Sequence, residues 1–357
     1  MNRNAHALTV LMSLLLLAGC GEPDAPPDTR QLFLDYVFEN VGKDYHALSV
    51  AATAQQRAVD ALCARPTDAM LASAQQAFRE TVLAWSRVEW LRLGPVATDY
   101  RFERLFYWPD KRGRGQRQLQ QLIASHDGTA LTQAALAQKS VAVQGLPALE
   151  RLLFAPSLDT SEQLTENGCA LAVPIAENIL SISRSLADDW MAFGSSQAAL
   201  SRSGEPMQRD QALAAVLQSA AQVLRYHGEL KLALAMGESP ATARPTVAPF
   251  AQSEMTVPAI AAGVVALREV FAAPFMAIVP AEHRYAGEAF QRDLKLIQQQ
   301  LDALSAAGTW TTVVAGTEER DRLEYILVPL GSAAEQIGAV LPAALGLSLS
   351  FNSADGD

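Results

Sequence analysis

Apolar residues recur at spacings of three and four along nearly the whole chain, and that period leaves little choice of fold. Leu34, Val37, Val41, Tyr45, Leu48 and Ala52 make one stripe, and Leu71, Ala74, Phe78, Val82 and Trp85 a second behind a Thr67 N-cap. The second helix is expected to stop at Gly94-Pro95, a glycine C-cap with a proline behind it. Ile175, Ile179, Ile182, Leu186, Trp190 and Phe193 form a third stripe. Leu213, Val216, Ala220, Val223, Leu230 and Leu234 form a fourth, with His227 filling its gap. Ile260 to Phe275, Phe290 to Leu304 and Leu323 to Leu341 repeat the pattern, the last with Pro329 as an expected kink. Alternating apolar and polar runs, the mark of a half-buried strand, are nearly absent. The expected fold class is all-α.

About 330 residues follow the N-terminal region, more than one core normally serves, so two packed helical bundles are expected. Gly237 to Thr256 interrupts the helical pattern with proline, glycine and small polar residues, which places the N-terminal bundle at 31–237 and the C-terminal bundle at 238–357. The segments 94–116 and 154–168 are long enough to be functional loops.

The first residues read as a targeting segment. Arg3 supplies a positive start, and Leu8 to Leu17 an apolar run too short for an ordinary membrane-spanning helix. Leu17-Ala18-Gly19-Cys20 then matches the pattern at which a bacterial lipoprotein is lipidated on Cys and cleaved before it. Residues 1–19 are the expected signal peptide and 20–30 a flexible tether from lipidated Cys20, rich in Pro, Asp and Gly. Gly21, in place of Asp, favours the outer membrane, so the expected location is the periplasmic face of the envelope. No later stretch reads as apolar and long enough to span a membrane. The formal net charge of −10 argues against nucleic acid as a partner.

With Cys20 taken by lipid, Cys63 and Cys169 remain as an even pair in an oxidising compartment. A disulfide is the leading expectation; two buried free thiols or a two-Cys metal site are the alternatives.

Catalytic signatures are missing: no His-Glu-x-x-His, no Gly-x-Ser-x-Gly, no phosphate-cradling glycine loop and no Cys-x-x-Cys. No two histidines beyond His6 lie three or four apart. His227, with Lys231 one turn on, reads as a satisfied core histidine. Tyr100 to Arg117 mixes Tyr100, Phe102, Phe106, Tyr107 and Trp108 with Arg101, Arg104, Lys111, Arg112, Arg114 and Arg117. It is either the wall of an anion or small-ligand pocket or a solvated basic loop whose aromatics pack on the bundle.

Four stretches carry a family resemblance. Gln144 to Phe154 resembles the signature segment of the imelysin family, whose motif is Gly-x-His-x-x-Glu followed by a Leu-Leu-Phe-like run. Ala84-Trp85 through Gly94-Pro95, the run Phe106-Tyr107-Trp108-Pro109-Asp110 and the tail from Gly346 to Asp357 resemble other parts of that family in the same order. The resemblance implies an exported all-helical protein of two bundles with the motif near their interface, a peptidase class and an association with iron-regulated envelope uptake. Gly145 and Glu150 stand in motif positions, but Pro147 stands in that of the histidine. Proline has no ligand atom, so iron or another metal is unsupported by the motif and no cofactor is expected. Metal ligands would have to converge from residues such as His46, His126, Glu89 and Glu150.

The candidate binding residues are Gly145, Glu150, Arg101, Trp108, Arg268, Asn352 and Asp355. Glu150 is expected at the seam between the bundles, with its pKa raised unless Arg92, Arg101 or Arg268 compensates. The expected function is a lipid-anchored binding or accessory protein in iron or nutrient uptake, with the membrane, a small ligand and envelope uptake proteins as partners. A metal-dependent peptidase and a purely structural envelope role are the alternatives.

Overall fold

The structure, a computed structural model, describes residues 28–110, 112–125, 132–154, 166–203 and 206–347. Among them there is no strand. The stripes become long helices: α1 (Thr29–Ala64), α2 (Asp68–Val88), then the short α3 (Arg101–Leu105), α4 (Arg114–Ala124), α5 (Gln133–Ala137) and α6 (Leu146–Leu153). The 38-residue α7 (Glu166–Ser203) and α8 (Pro206–Arg225) follow, and α8 runs directly into a π-helical segment, Tyr226–Ala233, and α9 (Leu234–Met236). After a loop come α10 (Thr256–Val270), α11 (Ala273–Met276), α12 (Arg284–Ala307), α13 (Trp310–Ala315) and α14 (Glu318–Glu335); a second π-helical segment, Gln336–Val340, leads to α15 (Leu341–Ala344).

Local chemistry sets the helix ends. The Thr67 hydroxyl accepts the Met70 N–H at 3.2 Å and caps α2. Asp110 caps α4, accepting the N–H groups of Arg114 and Gly115 at 2.7 and 3.0 Å, and its carboxylate also meets Arg151 on α6 at 3.4 Å. The expected stop of α2 at Gly94 comes earlier, at Val88, because the chain turns there and buries Trp90 and Leu91.

α1 packs along α7 and α2, and α3 to α6 lie against α7. α12 packs along α14 and α10, and α8 lies on α14, which groups α8 with helices that follow residue 237. α10 packs on α2 and so joins the two groups, and one connected apolar core runs through both. Cys63 and Cys169 form a disulfide that ties the end of α1 to the start of α7, Cα to Cα 5.6 Å.

One expectation about membrane-length segments is corrected. Glu318–Ala344 is a continuous helical stretch with an 18-residue window of mean hydropathy 1.3, long and apolar enough to cross a membrane by length and composition alone. Its Leu323, Ile326, Leu330, Ile337 and Leu341 are buried, while Tyr325 and Val328 remain exposed. The apolarity serves packing against α12 and α8.

Candidate functional site

The motif segment starts where backbone meets backbone. Gly145 is the N-cap of α6, and a Cβ at that position would lie 2.3 Å from the Leu105 carbonyl oxygen and 2.5 Å from that of Arg104. Only glycine lets α6 approach the end of α3 so closely. Pro147 follows at the second position of the helix, where its missing N–H costs nothing.

Glu150, one turn later, is buried. Its Oε1 accepts two bonds from Ser253, from the backbone N–H at 2.9 Å and from the hydroxyl at 2.7 Å. Burial raises its pKa, and the Ser253 bonds oppose that rise. The partner is therefore a serine from the loop before α10, and none of the three expected arginines fills the role. Arg101 pairs with Asp189, Arg268 is exposed on α10, and Arg92 stacks over Phe102 and Tyr226, its Cζ 4.1 and 4.9 Å from the ring centres.

Beyond Glu150 stands a wall of rings. Phe250 lies 5.2 Å from Phe106, and Phe106 lies 6.4 Å from Trp108 and 6.1 Å from Trp85. Trp108 is half-buried; its Nε1 donates to the Val247 carbonyl at 3.0 Å, and its own carbonyl accepts the Tyr226 hydroxyl at 3.0 Å. Phe102 and Phe106 thus pack inward and Tyr107 and Trp108 are half-buried, while Tyr100 and the arginines Arg112, Arg114 and Arg117 face solvent. Lys111, His126, Cys20, Asn352 and Asp355 lie outside the described residues.

Against the rings of Phe106 and Tyr226 lies a charged cluster that sequence reasoning missed. Lys231, in the first π-helical segment, is ion-paired with Glu89 at the end of α2, and neither side chain is exposed at all. The ammonium also sits 5.6 Å from the ring centres of Phe106 and Tyr226. Burial lowers the Lys231 pKa; Glu89 opposes this and Arg92 adds to it. Glu89 Oε2 and both ring nitrogens of His227 have no hydrogen-bond partner. His227 is therefore buried without being satisfied, and burial together with Lys231 and Arg92 pushes its pKa well below 6.5. The signal available in the sequence was a lysine between Leu230 and Leu232 and a glutamate between Val88 and Trp90, both charges set in apolar runs.

The donors present do not fit a metal at the motif. Pro147 offers none, Glu150 is engaged by Ser253, and the described residues contain no group of three or more His, Cys, Asp or Glu able to hold an ion. Depressions formed by the described residues include an open one of about 320 Å3 along Glu288, Gln291, Arg292 and Lys295 and a narrow one of about 30 Å3 beside Glu254 and Trp310. Neither is lined by Glu150 or Lys231.

This arrangement of helices is that of the imelysin-like proteins. Residues 42–330 match the sequence profile of the family described as Imelysin, and the chain belongs to that family. No curated protein matches it in sequence. An imelysin-like protein from Psychrobacter arcticum shares the fold with a TM-score of 0.76 at 18% identity, over 92% of this chain and 99% of that one. A protein of Parabacteroides distasonis described as an iron-regulated protein A precursor shares it with a TM-score of 0.72 at 14% identity, over 90% and 97%.

Proposed function

We propose that this protein is a lipid-anchored envelope protein of the imelysin type, acting as a binding or accessory protein in iron or nutrient uptake and not as a peptidase. The observation that carries the reading is the state of the motif: Glu150 is buried with one oxygen taken by two bonds from Ser253, and Pro147, in the histidine position of the resemblance, supplies no donor. A metallopeptidase needs a metal held by several side chains with a free position for water. The description of the Parabacteroides protein as iron-regulated supports a place in iron supply. Anchoring follows from Cys20 and its leader, with the outer membrane favoured by Gly21. Its partners are then the membrane, envelope uptake proteins and a small ligand.

The test combines a strain and an assay. Deletion of the coding sequence is expected to slow growth when iron is chelated and not when it is replete, and the intact sequence restores growth. Purified protein supplied with Zn2+ or Fe2+ is expected to leave a mixed peptide substrate uncut. Metal-dependent cleavage that Glu150→Gln abolishes, or equal growth under both conditions, overturns the reading.

A further inference from the structure

The buried histidine between the helix groups has a consequence of its own. His227 lies on the π-helical segment that continues α8, and it faces α2 and α10 where these pack together. Gly263 of α10 marks the meeting point: a Cβ there would lie 3.1 Å from the Ser86 carbonyl oxygen of α2 and 3.3 Å from His227 Nε2. The ring is wholly buried, and neither nitrogen has a partner. On the side of α14, the adjacent Gly228 meets Leu327 and Leu330, which bring no charge. The charges that act on the ring are Lys231, on its own segment, and Arg92, just past α2; both are cations. Glu89 is already paired with Lys231. A proton placed on His227 in the closed form would stand beside two cations, with no acceptor for either ring N–H.

We propose that His227 is an acid-operated release for the seam between α2 and α10. In the closed form the imidazole is neutral. In a form where α2 and α10 part, water reaches the ring and it takes a proton at its ordinary affinity. The sign follows from linkage. The open form binds the proton more tightly, so closure weakens as pH falls below about 6.5 and is unaffected above it. For one proton excluded from the closed form, the ratio of open to closed grows about tenfold from pH 7.5 to 5.5 and about thirtyfold by pH 5.0. The disulfide holds α1 to α7 outside this seam, so the loosening is confined.

Hydrogen exchange of the purified protein tests this, with rates corrected for the intrinsic effect of pH. Amides of residues 86–92, 226–236 and 257–264 are expected to lose protection by those factors on acidification, while those of α1 and α7 keep theirs. In His227→Gln the seam amides lose the pH dependence. Should that variant not fold, ring-nitrogen NMR of the unaltered protein decides: the His227 ring stays neutral through pH 5.5. A seam whose protection does not change with pH, an unchanged dependence in His227→Gln, or a His227 that titrates near 6.5 with the seam still protected overturns the proposal.

Discussion

Separating the two members of the Glu89–Lys231 pair is expected to cost far more than removing both. Each side chain is fully enclosed, and the ammonium has aromatic rings of Phe106 and Tyr226 around it in place of water. Glu89→Gln leaves a buried cation without its anion, and Lys231→Met leaves a buried anion that already has one oxygen without a partner. Breaking a buried pair in this way costs about 3 to 5 kcal/mol, a large share of a total stability of roughly 5 to 15 kcal/mol. The double variant Glu89→Leu with Lys231→Met removes the desolvation penalty of both ions and fills the space with apolar atoms. It is expected near the parent stability, or above it by about 1 to 4 kcal/mol.

Urea unfolding followed by circular dichroism and tryptophan fluorescence measures this as a shift in midpoint at constant slope. A pH series adds a second readout for Glu89→Gln. The folded form depresses the Lys231 pKa, first through burial, and loss of Glu89 removes what opposed it. The unfolded chain then binds that proton more tightly, so the stability of the variant rises with pH between the lowered value and the ordinary 10.5. The Glu89→Gln deficit at pH 9.5 is therefore smaller than at pH 7. If the double variant loses as much as the two single variants together, the pair is a net source of stability and the reasoning from desolvation is wrong.

Gly145→Ala is expected to destabilise by about 1 to 3 kcal/mol, since the new methyl group meets two carbonyl oxygens of α3 that cannot swing aside; the melting temperature reports it. Replacing Cys63 and Cys169 by Ser releases a link between residues 106 apart and is expected to cost about 4 to 5 kcal/mol, with thiol titration of the unfolded, unreduced parent finding neither Cys free. Ser253→Ala takes a hydroxyl from a buried carboxylate and is expected to cost about 1 to 3 kcal/mol. Glu150→Gln is expected to hold or raise stability at pH 7, because a carboxyl whose folded pKa is raised weakens the fold above that pKa and regains stability as pH falls toward 4.5. Urea midpoints at pH 5 and 7 check both variants.

The long helices were legible because burial on one face of a helix writes a 3.6-residue period into the sequence, and Leu34 to Ala52 or Phe290 to Leu304 display it without interruption. The disulfide was legible from parity and compartment. What escaped depends on distance along the chain. Glu89 and Lys231 are separated by 142 positions, and each alone looks like a surface charge beside a stripe. Ser253 sits in the stretch read as an interruption between bundles, and nothing local marks it as the partner of a carboxylate 103 positions earlier. The grouping of α8 with α14 follows from packing that no periodicity encodes. Pro329, Gly331 and Glu335 interrupt the apolar run within Glu318–Ala344, although the mean hydropathy of its 18-residue window reaches 1.3.

The motif segment can be understood in this chain without any ligand. Gly145 is required by the contact with α3, Pro147 suits the first turn of α6, and Glu150 fastens α6 to the loop before α10. Arg151 reaches Asp110, which in turn holds the start of α4. Gly145 and Arg151 join α6 to α3 and α4 within the first helix group, and Glu150 alone of these residues links the segment to the loop before α10. The unpaired polar atoms of Glu89 and His227, by contrast, satisfy no packing need and cost stability where they stand. The unsatisfied imidazole stands at the contact of α2 with α10 and the buried ion pair lies on the same segment as that histidine, whereas one oxygen of the motif carboxylate holds two bonds from Ser253. Experiments on function in this chain should start with His227, Lys231 and Glu89.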